Sequence, residues 1–262
     1  MPKRVVIHAG FHKAGTTSVQ QTLRANRKLL MPAVAMRLKG QMTKLMHATR
    51  GYSARRDALT LAKVKHRFDV LLDRMPPMPH RYLVISAEEL SGQMPGRGDL
   101  MDYSATPILM DALSRKITEL FPKTEHVIYF STRRPEAWLK SAYWEHVASS
   151  GMTLDFDEFA TKYSAAANFD QIIAQTKDAV PCPVHHTTLE DCADLRLGPT
   201  DPVLDLCDVP DDLRAQIVPQ AKVSTPDSDA VLLALLEANR AYADSDTRKA
   251  AKQEILAQGA QK

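Results

Sequence analysis

The chain has 262 residues, 44% of them hydrophobic and 25% charged, the make-up of an ordinary globular protein long enough to bury a sizeable core. Its three cysteines, Cys182, Cys192 and Cys207, are odd in number, show no CxxC spacing and have no histidines at zinc-finger intervals. That pattern argues against a disulfide framework or a zinc module and for small buried thiols in a reducing compartment.

Residues 5 to 7, Val-Val-Ile, are β-branched and fit a buried parallel strand. Gly10 and Gly15 then bracket a loop carrying His12, Lys13 and Ala14, and the hydroxyl residues Thr16, Thr17 and Ser18 open a helix expected over residues 16 to 30. Residues 32 to 53, rich in Met and Lys, read as an irregular helix. Residues 54 to 74 read as another, with Leu59, Leu61, Val64, Phe68, Leu71 and Leu72 spaced for one buried side.

The MPPMP stretch at 75 to 79 breaks that pattern, and a strand is expected at 82 to 86, ending in Ala87, Glu88 and Glu89. Gly92 to Gly98 reads as a flexible loop able to open and close over a site. A helix at about 105 to 120, a strand at 127 to 131 and a final strand at 183 to 191 follow. Short helices broken at Pro210 fill 201 to 218, a capped helix spans 226 to 242, and 244 to 262 reads as a frayed polar terminal helix. Strands alternating with longer helical runs predict an α/β fold with a central, mainly parallel sheet flanked by helices, in one domain over 1 to 262.

Charge is unevenly spread although the net is only +3: residues 1 to 67 hold fifteen Lys and Arg against one acid, Asp57. This describes either an electropositive rim for an anionic partner or solvated helical faces. Aromatic residues do not interleave with those charges, so no nucleic-acid partner is expected. The apolar run after Lys3 and Arg4 is too short for a signal-peptide core, and no stretch approaches the ~20 apolar residues of a membrane span. The expectation is a cytoplasmic protein with no integral membrane segment.

The loop after the first strand has the features of a phosphate cradle. Glycines let the backbone approach an anion, and the amides and dipole at a helix start favour it. A Walker A loop requires Lys directly after its second glycine, whereas here Thr16 follows Gly15 and Lys13 lies two positions before it. The second informative stretch is STRRPEAWLKSAYWEHV, beginning where the strand at 127 to 131 ends. The basic pair Arg133 and Arg134 at the strand's carboxyl end and Ser141 on the following helix would lie near the mouth where open α/β sheets bind ligands, guanidinium and hydroxyl groups both being suited to a phosphate. Arg134 is the alternative in the neighbouring register, and Trp138, Tyr143 and Trp144 are expected to pack the helix onto the sheet, with one of them free to stack on a base.

HKAGTT resembles the 5′-phosphosulfate loop of the sulfotransferase family, and Arg133, Pro135 and Ser141 resemble its 3′-phosphate motif; together the likeness covers residues 3 to 30 and 126 to 146. It implies a three-layer, P-loop-like fold and the donor 3′-phosphoadenosine-5′-phosphosulfate (PAPS). The donor would be held by His12, Lys13, Ala14, Gly15, Thr16, Thr17, Ser18, Arg133 and Ser141. The resemblance implies transfer of the sulfuryl group to a hydroxyl or amine of a small-molecule or glycan acceptor, with no metal. Lys13 would neutralise the bridging oxygen of the leaving phosphate. Residues 32 to 104 would form the acceptor side.

Family members use His or Glu as the base that takes the acceptor's proton. Glu88 is the choice here, because it directly follows a strand opening onto the same mouth; Glu89 would face away if the chain stays extended. His8 and His12 are substitutes, His8 reading better as a satisfied core imidazole. The late RKG motif of the animal cytosolic enzymes is absent, which brings the chain nearer the shorter microbial and carbohydrate-directed branches. An ATP-dependent small-molecule kinase and a nucleotide-binding module without turnover are the alternatives.

Overall fold

A computed structural model describes residues 1 to 220 and 228 to 259. Its centre is β1 (Arg4–His8), which pairs in parallel with β3 (Tyr82–Ser86) on one side and β4 (Glu125–Thr132) on the other. Successive side chains of a strand point to opposite faces, and here both faces are covered. Val5 and Ile7 enter one apolar cluster with Leu83, Ile85, Ile128 and Phe130, while Val6 enters a second with Val84, Val127 and Tyr129. This double burial explains the unbroken apolar runs in these strands.

The edges are β2 (Val34–Leu38) and β5 (Val184–Thr188), giving a five-stranded, all-parallel sheet of order β2-β3-β1-β4-β5. The connection leaving β1 runs toward β2 and the one leaving β4 runs toward β5. The carboxyl ends of these two neighbours therefore flank a topological switch point, the usual ligand crevice of an open α/β sheet.

One face carries α1 (Thr16–Ala25), the short α2 (Arg27–Leu30) and, later in the chain, α9 (Asp201–Asp205). The other carries α3 (Thr43–Arg55), α4 (Ala58–Asp73), α5 (Thr106–Leu120), α6 (Pro135–Ser149), α7 (Phe156–Tyr163), α8 (Phe169–Ala179) and α11 (Asp229–Ala241). The short α10 (Asp211–Ala215) precedes α11, and α12 (Ser245–Gly259) ends the described chain. None of the helices among the described residues is long and apolar enough to cross a membrane.

Several boundaries differ from those the sequence suggests, each for a local reason. The helix expected over 16 to 30 breaks at Asn26, whose amide donates to Val218 O at 2.9 Å and accepts from Val218 N at 2.9 Å. The irregular helix expected over 32 to 53 is in fact strand β2, a 3-10 turn at Lys39–Gln41 and α3. In β2, Val34, Met36 and Leu38 pack against one cluster and Ala35 against the other, an alternation hidden by helix-favouring Met, Ala and Leu.

The helix expected to begin at 54 starts at Ala58, because Arg56 takes a left-handed conformation (φ 54°) and Asp57 caps α4 by accepting from Thr60 N at 2.7 Å. Leu59, placed on the buried side by spacing, is 74% exposed, while Val64, Phe68 and Leu72 carry the packing. Residues 226 and 227 at the start of the expected capped helix, and 260 to 262 at the chain end, lie outside the described residues; Ser228 accepts from Val231 N and caps α11. The expected frayed terminal helix is pinned, since the Lys252 ammonium in α12 is buried and donates to Val147 O at 2.6 Å, Ser150 O at 2.7 Å and Asn239 Oδ1 at 3.0 Å.

Candidate functional site

The loop between β1 and α1 leaves the sheet at the switch point and is held from below. Ala9 N donates to Tyr129 O and Phe11 N to Ser131 O, each at 3.0 Å, so the chain continues pairing with β4 past the end of β1. Phe11 is fully buried, stacked on Phe169 (4.5 Å between centroids) and Phe130 (5.2 Å), with Tyr103 at 4.7 Å against its edge. Such a side chain is worth roughly 3–5 kcal/mol against Ala, so it anchors the loop firmly. His8 beneath it is the satisfied core imidazole expected: it hydrogen-bonds Ser86 Oγ and Ser131 Oγ, each at 2.8 Å, and burial pulls its pKa down to about 4.

Above this base the backbone turns tightly. Lys13 (φ 64°) and Gly15 (φ 87°) are both left-handed, and a Cβ on Gly15 would lie 2.8 Å from Leu189 Cδ1. A Cβ on Gly10 would sit 2.6 Å from Thr16 Oγ1 and 3.0 Å from His8 Nε2, so that glycine is required by close approach. Ala14 is buried, its amide donating to Phe11 O at 3.2 Å. Gly15 is the N-cap of α1 and supplies no side-chain acceptor, and Thr16, Thr17 and Ser18 are the first three helical residues. Their amides lack intrahelical partners by geometry and point outward from the helix start. Thr16 is 3% exposed and its hydroxyl oxygen is buried with no hydrogen-bond partner, whereas Thr17 is exposed and Ser18 half-exposed.

The second motif comes to the same place. Arg133, at the carboxyl end of β4, donates from Nη1 to Lys13 O at 3.3 Å, and Trp138 of α6 is fully buried and donates from Nε1 to His12 O at 2.8 Å. Thus the loop and the start of α6 are stitched together. Ser141 lies half-exposed on α6, and Tyr143 packs inside with its hydroxyl donating to Leu154 O at 3.1 Å. Arg133 also faces Glu190 at 3.7 Å, and Glu190 accepts from Arg134 N at 3.1 Å.

Glu88 opens a 3-10 turn (Glu88–Ser91) directly after β3. Its carboxylate accepts from Lys39 Nζ at 2.7 Å and Gln20 Nε2 at 3.3 Å. Because the chain turns rather than staying extended, Glu89 does not face away: it meets the same Lys39 ammonium at 2.6 Å. Burial pushes the Glu88 carboxyl up, but His12, Lys39 and a local backbone bond outweigh it and hold the group below its ordinary value. His12 shares a 3.1 Å hydrogen bond with Tyr103 Oη; burial lowers its imidazole to about 4, against the pull of Glu88 and with the push of Lys39, Arg97 and Arg50. It is neutral at physiological pH.

The loop at 92 to 98, expected to be flexible, is packed and tied to α6. His146 Nε2 bonds Pro95 O at 2.8 Å, Gly96 lies against the imidazole, and Arg97 reaches Ser149 and Glu145. Gly92 lies against Ser53 of α3, whose hydroxyl accepts from Gln93 N at 3.0 Å.

Sequence reasoning missed Glu145, which sits 3.2 Å from Lys13 Nζ. The signal was present, since Ser141 and Glu145 are four apart and share a helix face. Arg97, Lys39, Tyr103 and Glu190 were missed for want of any local pattern. Burial raises all three thiols, Cys207 to about 12, and leaves them unsuited to nucleophilic work. Among the described residues no group of three or more His, Cys, Asp or Glu is placed to hold a metal ion. No protein-family model matches the chain, and no curated protein matches it significantly.

Proposed function

We propose that the chain is a PAPS-dependent sulfotransferase with a P-loop-like fold. The observation that carries this is the convergence of two separate stretches at one crevice. The loop of residues 9 to 15 and the β4–α6 junction are joined by the Arg133 to Lys13 O and Trp138 to His12 O hydrogen bonds. The buried, unpartnered hydroxyl of Thr16 and the uncapped start of α1 fit a phosphate, which supplies acceptor oxygens to both.

His12, Lys13, Ala14, Gly15, Thr16, Thr17 and Ser18 would hold the 5′-phosphosulfate end, and Arg133 and Ser141 the 3′-phosphate. The bound donor supplies a sulfuryl group to an acceptor hydroxyl or amine. Lys13 places an ammonium against the oxygen that becomes anionic as the sulfur–oxygen bond breaks. Glu88, ionised through Lys39 and exposed over only 13% of its side chain, takes the proton that the acceptor loses as its own bond to sulfur forms. A glycan or small hydroxylated metabolite would enter from the side built by residues 32 to 104.

Calorimetric titration with adenosine 3′,5′-bisphosphate, set against ATP with magnesium, tests the proposal. Tight binding of the bisphosphate and weak binding of ATP is the expected result; tighter ATP binding would replace it with a kinase.

A further inference from the structure

The Lys13 ammonium, which the proposed chemistry requires at the leaving group, is already engaged. Glu145 Oε2 lies 3.2 Å from Lys13 Nζ, and both side chains are mostly withdrawn from solvent, at 24% and 35% exposure. Lys13 stands on a left-handed backbone, and the carboxylate comes up from α6, two turns beyond Trp138. The other oxygen of Glu145 has its own standing partners: Ser149 Oγ donates to Oε1 at 3.0 Å, and Arg97 lies 3.6 Å from the same atom. Burial pushes the Glu145 carboxyl up, but Lys13, Ser149 and Arg97 together hold it below its ordinary value, so it is an anion.

An anion at this place opposes a second anion arriving on the same lysine. We propose that Glu145 is an internal counter-ion that holds Lys13 until a donor displaces it. It acts as a positioning residue that fixes where the Lys13 ammonium rests before the donor arrives. The inference rests on the sulfotransferase proposal for the identity of the donor. When the phosphosulfate end takes Lys13, the Glu145 carboxylate remains charged and keeps Ser149 and Arg97, which need not move far to compensate it. Arg97 sits on the other carboxylate oxygen, on a loop already fastened to α6 through His146 and Pro95 O, so Glu145 keeps a standing cation when Lys13 leaves. The same device recurs at the other cation of the motif, where Glu190 stands 3.7 Å from Arg133. Both cationic contacts are thus neutralised by carboxylates of the chain itself.

A merely structural Glu145 would leave ligand affinity unchanged or weaken it on removal. A counter-ion does the opposite. Glu145→Gln keeps the size and the Ser149 hydrogen bond while deleting the charge, so adenosine 3′,5′-bisphosphate should bind roughly tenfold more tightly. The gain should vanish in the Lys13→Met background, where there is no ammonium to release.

The pair itself is read without nucleotide. With lysines ¹³C-methylated and the Lys13 signal assigned by Lys13→Arg, Glu145→Gln should move that signal at constant pH. An unmoved signal overturns the pairing. A moved signal with unchanged or weaker bisphosphate binding, or a gain that persists without Lys13, overturns the counter-ion role. If the signal moves but no variant binds the bisphosphate, the nucleotide proposal falls and the counter-ion role falls with it, while the pair stands.

Discussion

The two walls of the crevice are built on opposite electrostatic plans. The wall made by the β1–α1 loop leaves donors open: Thr16 Oγ1 has no partner, and α1 begins on Gly15 with no side-chain cap. The wall made by residues 39, 88 to 104 and α6 is closed, with Lys39 shared by Glu88 and Glu89 and Arg97 shared by Glu145 and Ser149. A buried donor left unpaired costs about 1–3 kcal/mol, so the first wall is maintained at a stability cost that a ligand would offset. In the second wall the charged groups at least are paired, although Glu89 Oε2 and His146 Nδ1 are buried without a partner there too. That ionic network needs a stimulus to release any of its members, and Lys13, reaching from the first wall into the second, is where the stimulus would act.

The largest expected effect tests that junction. Lys13→Met should lower transfer by roughly 10²–10³-fold, the size seen when a preorganised charge-stabilising donor is removed. The fold should be retained, because the side chain is 24% exposed and the backbone contacts of the loop are untouched. Measuring release of adenosine 3′,5′-bisphosphate from the donor across an acceptor panel checks this. A loss below about threefold would mean the open wall functions without its lysine.

Next comes the closed wall. Glu88→Gln should reduce turnover by roughly 10²-fold if Glu88 is the proton acceptor. Glu89→Gln should reduce it far less, because Glu89 is the more deeply buried of the two partners of Lys39 and accepts no bond from Gln20. Equal losses would show that the pair serves only to hold Lys39.

The pH dependence sharpens the same point. In the folded chain Glu88 sits below its ordinary value of 4.5, so its contribution to stability is present above that pH and lost as the pH falls through the folded value. Lys39→Met removes one of the forces that lower it and leaves burial, which raises it. The acid limb of kcat/KM against pH should therefore move to higher pH, and the denaturation midpoint should fall earlier on acidification. An unmoved limb would place the essential base elsewhere, and neutral His12, hydrogen-bonded to Tyr103, would be the next group to replace.

The contrast between the walls also explains what the sequence disclosed. The open wall is local: Gly10, Lys13, Gly15 and Thr16 lie within seven positions, and their spacing alone describes a turn into a helix start. Even the distant Arg133 was legible, since it follows a strand whose apolar run is unmistakable. The closed wall is assembled from contacts far apart in the chain. Nothing in KGQ at 39 to 41 indicates that Lys39 meets Glu88, 49 residues later, and β2 itself was concealed by Met, Ala and Leu. The loop at 92 to 98 looked mobile because glycine and proline mark turns, but whether a turn is loose depends on partners such as Ser53 and His146, which only tertiary packing supplies.

The smallest effect on the site is expected farthest along α6. Lys252 binds the carbonyls of Val147 and Ser150 at the helix's C-terminal end, where a cation also suits the dipole. Lys252→Met would leave Ser150 O and Asn239 Oδ1 short of a donor, while Val147 O keeps the Asn239 amide, destabilising the chain by about 1–3 kcal/mol in denaturant unfolding. Burial, helped by Arg248 and Arg97, lowers the ammonium from 10.5 to about 8. The folded chain thus holds fewer protons than the unfolded one between those values, and the parent's stability should gain with pH across that window, a slope the variant should lack. Bisphosphate affinity should be unchanged, because Lys13, Glu145 and Arg97 keep their partners. A loss of affinity would show that the closed wall is tensioned from the C-terminal helix, and that the two walls are not independent at all.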